Sequence, residues 1–231
     1  MQDLDRPVWA SLTTFHAPMA EGDERARRFV PDVNLFASAR DAAADAQQGL
    51  AALVRPGECV YILQVPPIAI PSGLRAAKMA AGVQMVAKRP LHAERDDEIE
   101  LLTDADAPEM LALATLTQPG PFLSRTHRMG RFLGIRREGR LAAMAGERMR
   151  FPGHTEVSGV CTHPDFRGQG LARRLSVAVT AAIQGRGDQP FLHAWATNTA
   201  AITLYGELGF ELRAGVNVAV LERERGPERG P

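Results

Sequence analysis

Apolar positions change their spacing several times along the chain, and each change predicts a different element. The run Val60 to Val65 is almost continuously apolar and reads as a buried strand, and Val83 to Ala87 reads as another. Ala37 to Val54 is rich in helix formers, with Leu50, Leu53 and Val54 able to share a face, so a helix is expected there. Gly73 to Ala81 has the composition of a short helix. Pro and Gly punctuate Pro56 to Pro71, and the charged stretch Lys88 to Glu98, which contains Pro90 and runs into ERDDEIE, reads as a linker. This divides the chain into an N-terminal α/β region (residues 1–95), a second domain (residues 96–225) and a flexible tail (residues 226–231).

Past that stretch the periodicity sharpens. A strand is expected at Ile99 to Leu102, then a helix from Ala107 to Thr117 carrying Met110, Leu111 and Leu113, with Thr103, Asp104 and Asp106 as caps. Pro119, Gly120 and Pro121 break the chain before a short helix at Ser124 to Arg131. A strand at Phe132 to Arg136, a hairpin turn at Arg137 to Arg140, a strand at Leu141 to Phe151 and a third at Thr155 to Thr162 imply three consecutive antiparallel strands. Leu171, Leu175, Ala178, Val179 and Ala182 recur at helical spacing, with Arg173 and Arg174 off the stripe. The final segment, FLHAWATNTAAITLYGELGFEL, reads as strand, polar junction, helix and strand. The fold class expected is α/β (α+β), a mixed and mainly antiparallel sheet flanked by helices and preceded by a smaller α/β region.

Composition narrows the partners. The 231 residues are 45% hydrophobic and 23% charged, with 27 Lys plus Arg against 27 Asp plus Glu. That balance gives no electrostatic footing for nucleic acid or an anionic membrane as partner. No run approaches the ~18 apolar residues of a membrane span, and the acidic, proline-bearing start MQDLDRPVWASL does not resemble a secretory signal. The two cysteines, Cys59 and Cys161, lie far apart and outside any metal-ligand pattern. Neither a disulfide framework nor a metal is expected, and a reducing cytoplasm fits.

The candidate chemistry begins at Arg167–Gly168–Gln169–Gly170–Leu171–Ala172, a glycine-rich loop feeding the amphipathic helix. The first helical turn leaves N–H groups unpaired at the positive end of the helix dipole, where a phosphate is a favoured occupant. No Lys-Ser or Lys-Thr follows the glycines and no GxGxxG occurs, which disfavours nucleotide-triphosphatase and dinucleotide loops. Taken alone, the loop fits a simple glycine turn at a helix start as well as it fits an anion site.

A second constellation lies downstream, where Asn198 opens a helix that carries Tyr205 before Leu208, Gly209 and Phe210. Seven residues advance a helix by ~700°, which brings Asn198 and Tyr205 within ~20° of one another, so both can face one ligand. Together with Arg167, Gly170 and Ala172, this order resembles the GNAT acyltransferase superfamily, over about Glu98 to Glu222. Some members of that superfamily carry a degenerate N-terminal half of the same fold, and residues 1–95 look similar to those of glycine N-acyltransferase-like members.

The resemblance implies acetyl-CoA as co-substrate, bound by the backbone of Val160, Cys161 and Thr162, by Arg167 to Ala172, and by the start of the Asn198 helix including Ala201. It places the Tyr205 hydroxyl near the thioester sulfur and a backbone N–H near Val160 at the developing oxyanion. Glu156, in the apolar strand leading to the loop, is the expected general base, with partial burial raising its pKa; an edge-strand glutamate facing water and a water relay are the alternatives. His154, His163 and His193 compete for a catalytic role, with loop, core or surface positions as their ordinary readings. Cys161 alternates away from Val160 and Thr162 and reads as core packing. The implied activity is direct acetyl transfer to an amine of a small molecule or peptide; a longer-chain N-acyltransferase and a non-catalytic acyl-CoA-binding module are the alternatives, and a homodimer is compatible with all three.

Overall fold

The computed structural model describes residues 3–223, so the tail at residues 226–231 lies outside the described residues. The described chain forms two compact units that are interleaved in sequence. One takes the chain up to Pro31, Leu35–Gly82 and the residues from Gly215 onward; the other takes Asp32–Asn34 and Val83–Ala214.

The first unit opens with α1 (Pro7–Leu12), followed by the short strands β1 (Ala20–Gly22), β2 (Ala26–Phe29) and β3 (Ala37–Ala39), which pair in that order as an antiparallel sheet. α2 (Ala44–Leu53) and β4 (Cys59–Gln64) follow. The helix expected over Ala37 to Val54 is therefore shorter. Ala37–Ala39 is a buried strand paired with β2, and an Asp41 turn, in which Asp41 accepts from the Ala43 N–H at 2.9 Å, precedes the helix. Leu50, Val54, Val60, Ile62 and Leu221 pack in this unit's core.

Two long strands run through both units, β5 (Leu74–Ala87) and β11 (Phe210–Arg223). In the first unit the order is β4-β11-β5, with Val220 opposite Tyr61 in the antiparallel ladder. The short helix expected at Gly73 to Ala81 is instead the first half of β5. Alanine-rich composition favours helix only weakly, and the place of β5 beside β11 in the sheet overrides it.

In the second unit β6 (Ile99–Leu102), α3 (Ala107–Thr117), β7 (Phe132–Arg137), β8 (Arg140–Phe151) and β9 (His154–Thr162) follow the sequence expectation closely. Thr103 and Asp106 form a reciprocal capping box ahead of α3. Glu138 and Gly139 both have positive φ, 53° and 73°, which suits a two-residue hairpin turn between β7 and β8. Ser124 to Arg131 gives only a 3₁₀ turn at Thr126–Met129. α4 (Leu171–Gly185), β10 (Gln189–Trp195) and α5 (Thr199–Glu207) complete the unit. Its strand order is β5-β10-β9-β8-β7-β6, and β9 pairs with β10 in parallel while β6 to β9 are antiparallel.

Side chains of β8 divide between two clusters. Ala143 and Ala145 meet Leu171, Leu175, Val179 and Ile183 of α4, whereas Met144 meets Met110 and Leu113 of α3. The stretch read as a linker lies inside this unit. Leu91 N–H and Arg89 C=O bond the Gln184 amide at 2.8 and 2.9 Å, and Arg174 pairs with Asp96 and Glu98 at 2.7 and 2.6 Å.

Candidate active site

The parallel ladder between β9 and β10 is short. It joins His154, Thr155 and Glu156 to Gln189, Pro190 and Phe191, while β9 continues to Thr162 and β10 to Trp195. Beyond Glu156 and Phe191 the ladder ends, although both strands run on. On its other side β9 stays paired with β8, but Gly146 opposes Ser158 and Met144 opposes Cys161, so β9 has one extra residue in that interval. Gly159 supplies the positive φ of 64° for this bulge, and a Cβ there would lie 2.8 Å from the Phe132 ring. Bulges re-aim backbone groups, and this one falls at Gly159 and Val160.

The strand leads through His163 and a 3₁₀ turn, Pro164–Phe166, into the glycine loop. His163 accepts from the Asp165 N–H at 3.3 Å, a local turn bond. Arg167, Gly168, Gln169 and Gly170 are all exposed. Gly168 and Gly170 have φ of 77° and 73°, and no protein atom lies within 4 Å of the Cβ either would carry. Left-handed backbone, rather than crowding, is what requires glycine there. Gly170 is the N-cap of α4 and has no side chain to bond the first-turn N–H groups, which leaves them to another partner. Leu171 points into the core and Ala172 is half-buried, so Leu171 can meet a ligand only through its backbone.

Asn198 is the N-cap of α5, accepting from the Ala201 N–H at 3.1 Å. Its dihedrals, φ −86° and ψ 70°, are not helical, so the helical rotation that brings it beside Tyr205 does not hold at that position. The two differ in burial as well: Asn198 is exposed and Tyr205 is 8% exposed, edge-on to Phe210 at 5.8 Å. Burial pushes the Tyr205 hydroxyl up to about 12, with the Ser176 hydroxyl a partial counterweight. Cys161 packs with Met144 and Leu113, and burial pushes its thiol up to about 11, as suits a core side chain.

Glu156 departs most from expectation. It lies on a central strand, completely buried, and its carboxylate is fully engaged. Arg148 donates to it twice, through Nε at 2.8 Å and Nη2 at 2.6 Å; His193 Nδ1 lies 2.7 Å away and the Met149 N–H 3.3 Å away. Burial raises its pKa, but the Arg148 charge and bonds, with His193, outweigh that and bring it down to about 2. The expected upward shift is thus reversed, and the carboxylate is a charged anchor.

Sequence reasoning missed Arg148 and weighed His193 only singly. No local pattern marks Arg148, because an extra residue in β8 between Glu147, opposite Val157, and Arg150, opposite Thr155, is what brings it to Glu156. That leaves Arg148 and Met149 facing Glu156. Among the described residues no three His, Cys, Asp or Glu side chains gather as metal donors, and no helix is long and apolar enough to cross a membrane.

Sheet, parting strands and uncapped helix together have the architecture of an acetyltransferase. A family model described as FR47-like protein matches residues 132–218. A crystal structure from Novosphingobium aromaticivorans, assigned to the GNAT family of acetyltransferases, is 43% identical, with a TM-score of 0.92 over 97% of this chain and 100% of that one. The chain belongs to the GNAT family. A GCN5-related N-acetyltransferase from Kribbella flavida, 18% identical, shares the fold with a TM-score of 0.62 over 98% of this chain and 97% of that one. Mycothiol acetyltransferase from Thermobispora bispora is 46% identical over 56 residues, which span 24% of this chain and only 19% of that relative.

Proposed function

We propose that this protein is an acetyl-CoA-dependent N-acetyltransferase that moves an acetyl group directly to an amine of a small molecule or peptide. The observation that carries the reading is the parting of β9 from β10 beside the uncapped N-terminus of α4. The pyrophosphate of CoA would sit on the N–H groups of the glycine loop and the first turn of α4, from Gly168 to Ala172, where the helix dipole favours an anion. The amide-bearing pantetheine arm would lie along the edge of β9 at Val160 to Thr162, adding to the sheet as a strand does.

In the reaction a neutral amine attacks the thioester carbonyl, and a backbone N–H near Val160 stabilises the developing oxyanion. The C–S bond then breaks, and the Tyr205 hydroxyl gives its proton to the departing thiolate. A pKa of about 12 keeps that hydroxyl protonated across the working range. The proton of the amine leaves through water, which returns one to the Tyr205 oxygen, because the Glu156 oxygens are already held by Arg148, His193 and Met149. Transfer takes place within a ternary complex, with no acetyl group resting on the enzyme.

Two comparisons test this. Acetyl-CoA should turn over faster than longer acyl thioesters, and the reverse order would make the protein a longer-chain acyltransferase. Tyr205→Phe should lower turnover by about 10-fold or more while leaving CoA affinity nearly unchanged; equal turnover removes Tyr205 from the mechanism.

A further inference from the structure

Five polar side chains form a row across five neighbouring strands of the second unit. In strand order they are Arg213 on β11, Gln84 on β5, His193 on β10, Glu156 on β9 and Arg148 on β8. Arg213 Nη1 donates to Gln84 Oε1 at 2.8 Å, and Gln84 Nε2 lies 3.0 Å from His193 Nε2. His193 Nδ1 lies 2.7 Å from Glu156 Oε1, which also accepts from Arg148 Nη2 at 2.6 Å. Gln84 and Glu156 are both 0% exposed, so their polar atoms must be satisfied inside the protein.

The row has a direction. A guanidinium only donates, so Gln84 turns its oxygen to Arg213 and its NH₂ to His193. A ring nitrogen that meets an NH₂ offers a lone pair, so Nε2 carries no proton. The proton of the neutral imidazole is then on Nδ1, facing an ionised carboxylate that can only accept. Reversing either the amide or the ring would set donor against donor at Arg213 or acceptor against acceptor at Glu156, a costly mismatch in a buried network. With both nitrogens engaged, the ring is a strut between β5 and β9. Its position matters, because Glu156 is in the last rung of the β9–β10 ladder and His193 is two residues beyond it on β10.

We propose that Gln84 and Arg213 are positioning residues. They lock His193 as the Nδ1–H tautomer, and the His193–Glu156 bond pins β10 to β9 where the two strands part. The inference rests on the reading that the thioester lies between those strands, whose separation then sets the carbonyl against the backbone N–H groups of the β9 bulge.

The test is long-range ¹⁵N–¹H spectroscopy of the His193 ring in the full chain at about pH 8, above the ordinary histidine range, followed by steady-state kinetics. The parent ring should show a protonated Nδ1 and a bare Nε2. Gln84→Glu keeps a partner for Arg213 but sets a second carboxylate against the ring, so Nε2 should gain a proton while Nδ1 keeps its own toward Glu156. Turnover should fall about 10- to 100-fold, with the KM for acetyl-CoA within about 2-fold of the parent, as expected for misplaced reacting groups. Arg213→Gln, at a half-buried position, loosens the amide from the other end and should lower turnover in the same direction by a smaller factor, with Nδ1 still protonated toward Glu156. A parent ring protonated on Nε2 alone, or a Gln84→Glu chain whose Nε2 gains a proton while turnover holds, would overturn the proposal. The tautomer is read without any thioester, so a locked Nδ1–H ring in a chain that transfers no acetyl group would count against the proposed activity alone.

Discussion

Glu156 keeps its charge in a place without water because other groups replace the water. The Arg148 guanidinium supplies two donors and a compensating charge, and His193 and the Met149 N–H supply the rest. Its folded-state pKa of about 2 lies below the ordinary 4.5, so the pair stabilises the fold above about pH 4.5 and that contribution is lost as pH falls toward 2. Glu156→Gln takes the carboxylate away from the buried Arg148 guanidinium and should cost about 3 kcal/mol near neutral pH. Urea unfolding of parent and variant should show that gap narrowing toward pH 2, and a gap independent of pH would mean that the pair does not hold the fold. The placement of Glu156 in the strand that feeds the loop was legible in the sequence. The sign of its pKa shift was not, because that depends on His193 and Arg148, brought in by strand register.

At the scale of elements, the legible parts are those whose signals are local. β6, α3 and the β7–β8–β9 meander follow from alternation, a capping box and turns at Glu138–Gly139 and Pro152–Gly153. β5 was not legible, since alanine-rich composition points to helix and only pairing with its neighbours makes it a strand. Lys88 to Glu98 reads as a linker from its charge and Pro90, yet Asp96 and Glu98 pair with Arg174 on α4, which no local pattern reveals. The glycine loop was legible as an element, and its geometry makes a prediction. Alanine at position 170 must adopt φ of 73°, at a cost of about 1–2 kcal/mol, while meeting no protein atom within 4 Å. Gly170→Ala should therefore fold, with a modestly lower melting temperature, and bind CoA more weakly because its methyl lies where the phosphates would approach. Calorimetric titration with CoA checks this, and an unchanged affinity would separate the loop from CoA binding.

At the scale of the whole molecule, the chain does not fold as one unit followed by another. β5 and β11 each lie partly in one unit and partly in the other, so Asn217–Glu222 pairs with Cys59–Gln64 from early in the chain. A linear reading of sequence composition cannot anticipate this interleaving. Within the second unit the parting strands, the glycine loop and the buried row from Arg213 to Arg148 occur together, and family membership gives the assembly its chemistry. The most direct measurement incubates the full chain with acetyl-CoA and a panel of primary amines, following free CoA thiol, acetylated product and the mass of the protein together. The account predicts thiol release that requires an amine, acetamide formed in equal amount, and a protein mass that does not change with acetyl-CoA alone. Tight CoA binding with no amine-dependent thiol release across the panel, or an acetyl group retained on the chain, would contradict it.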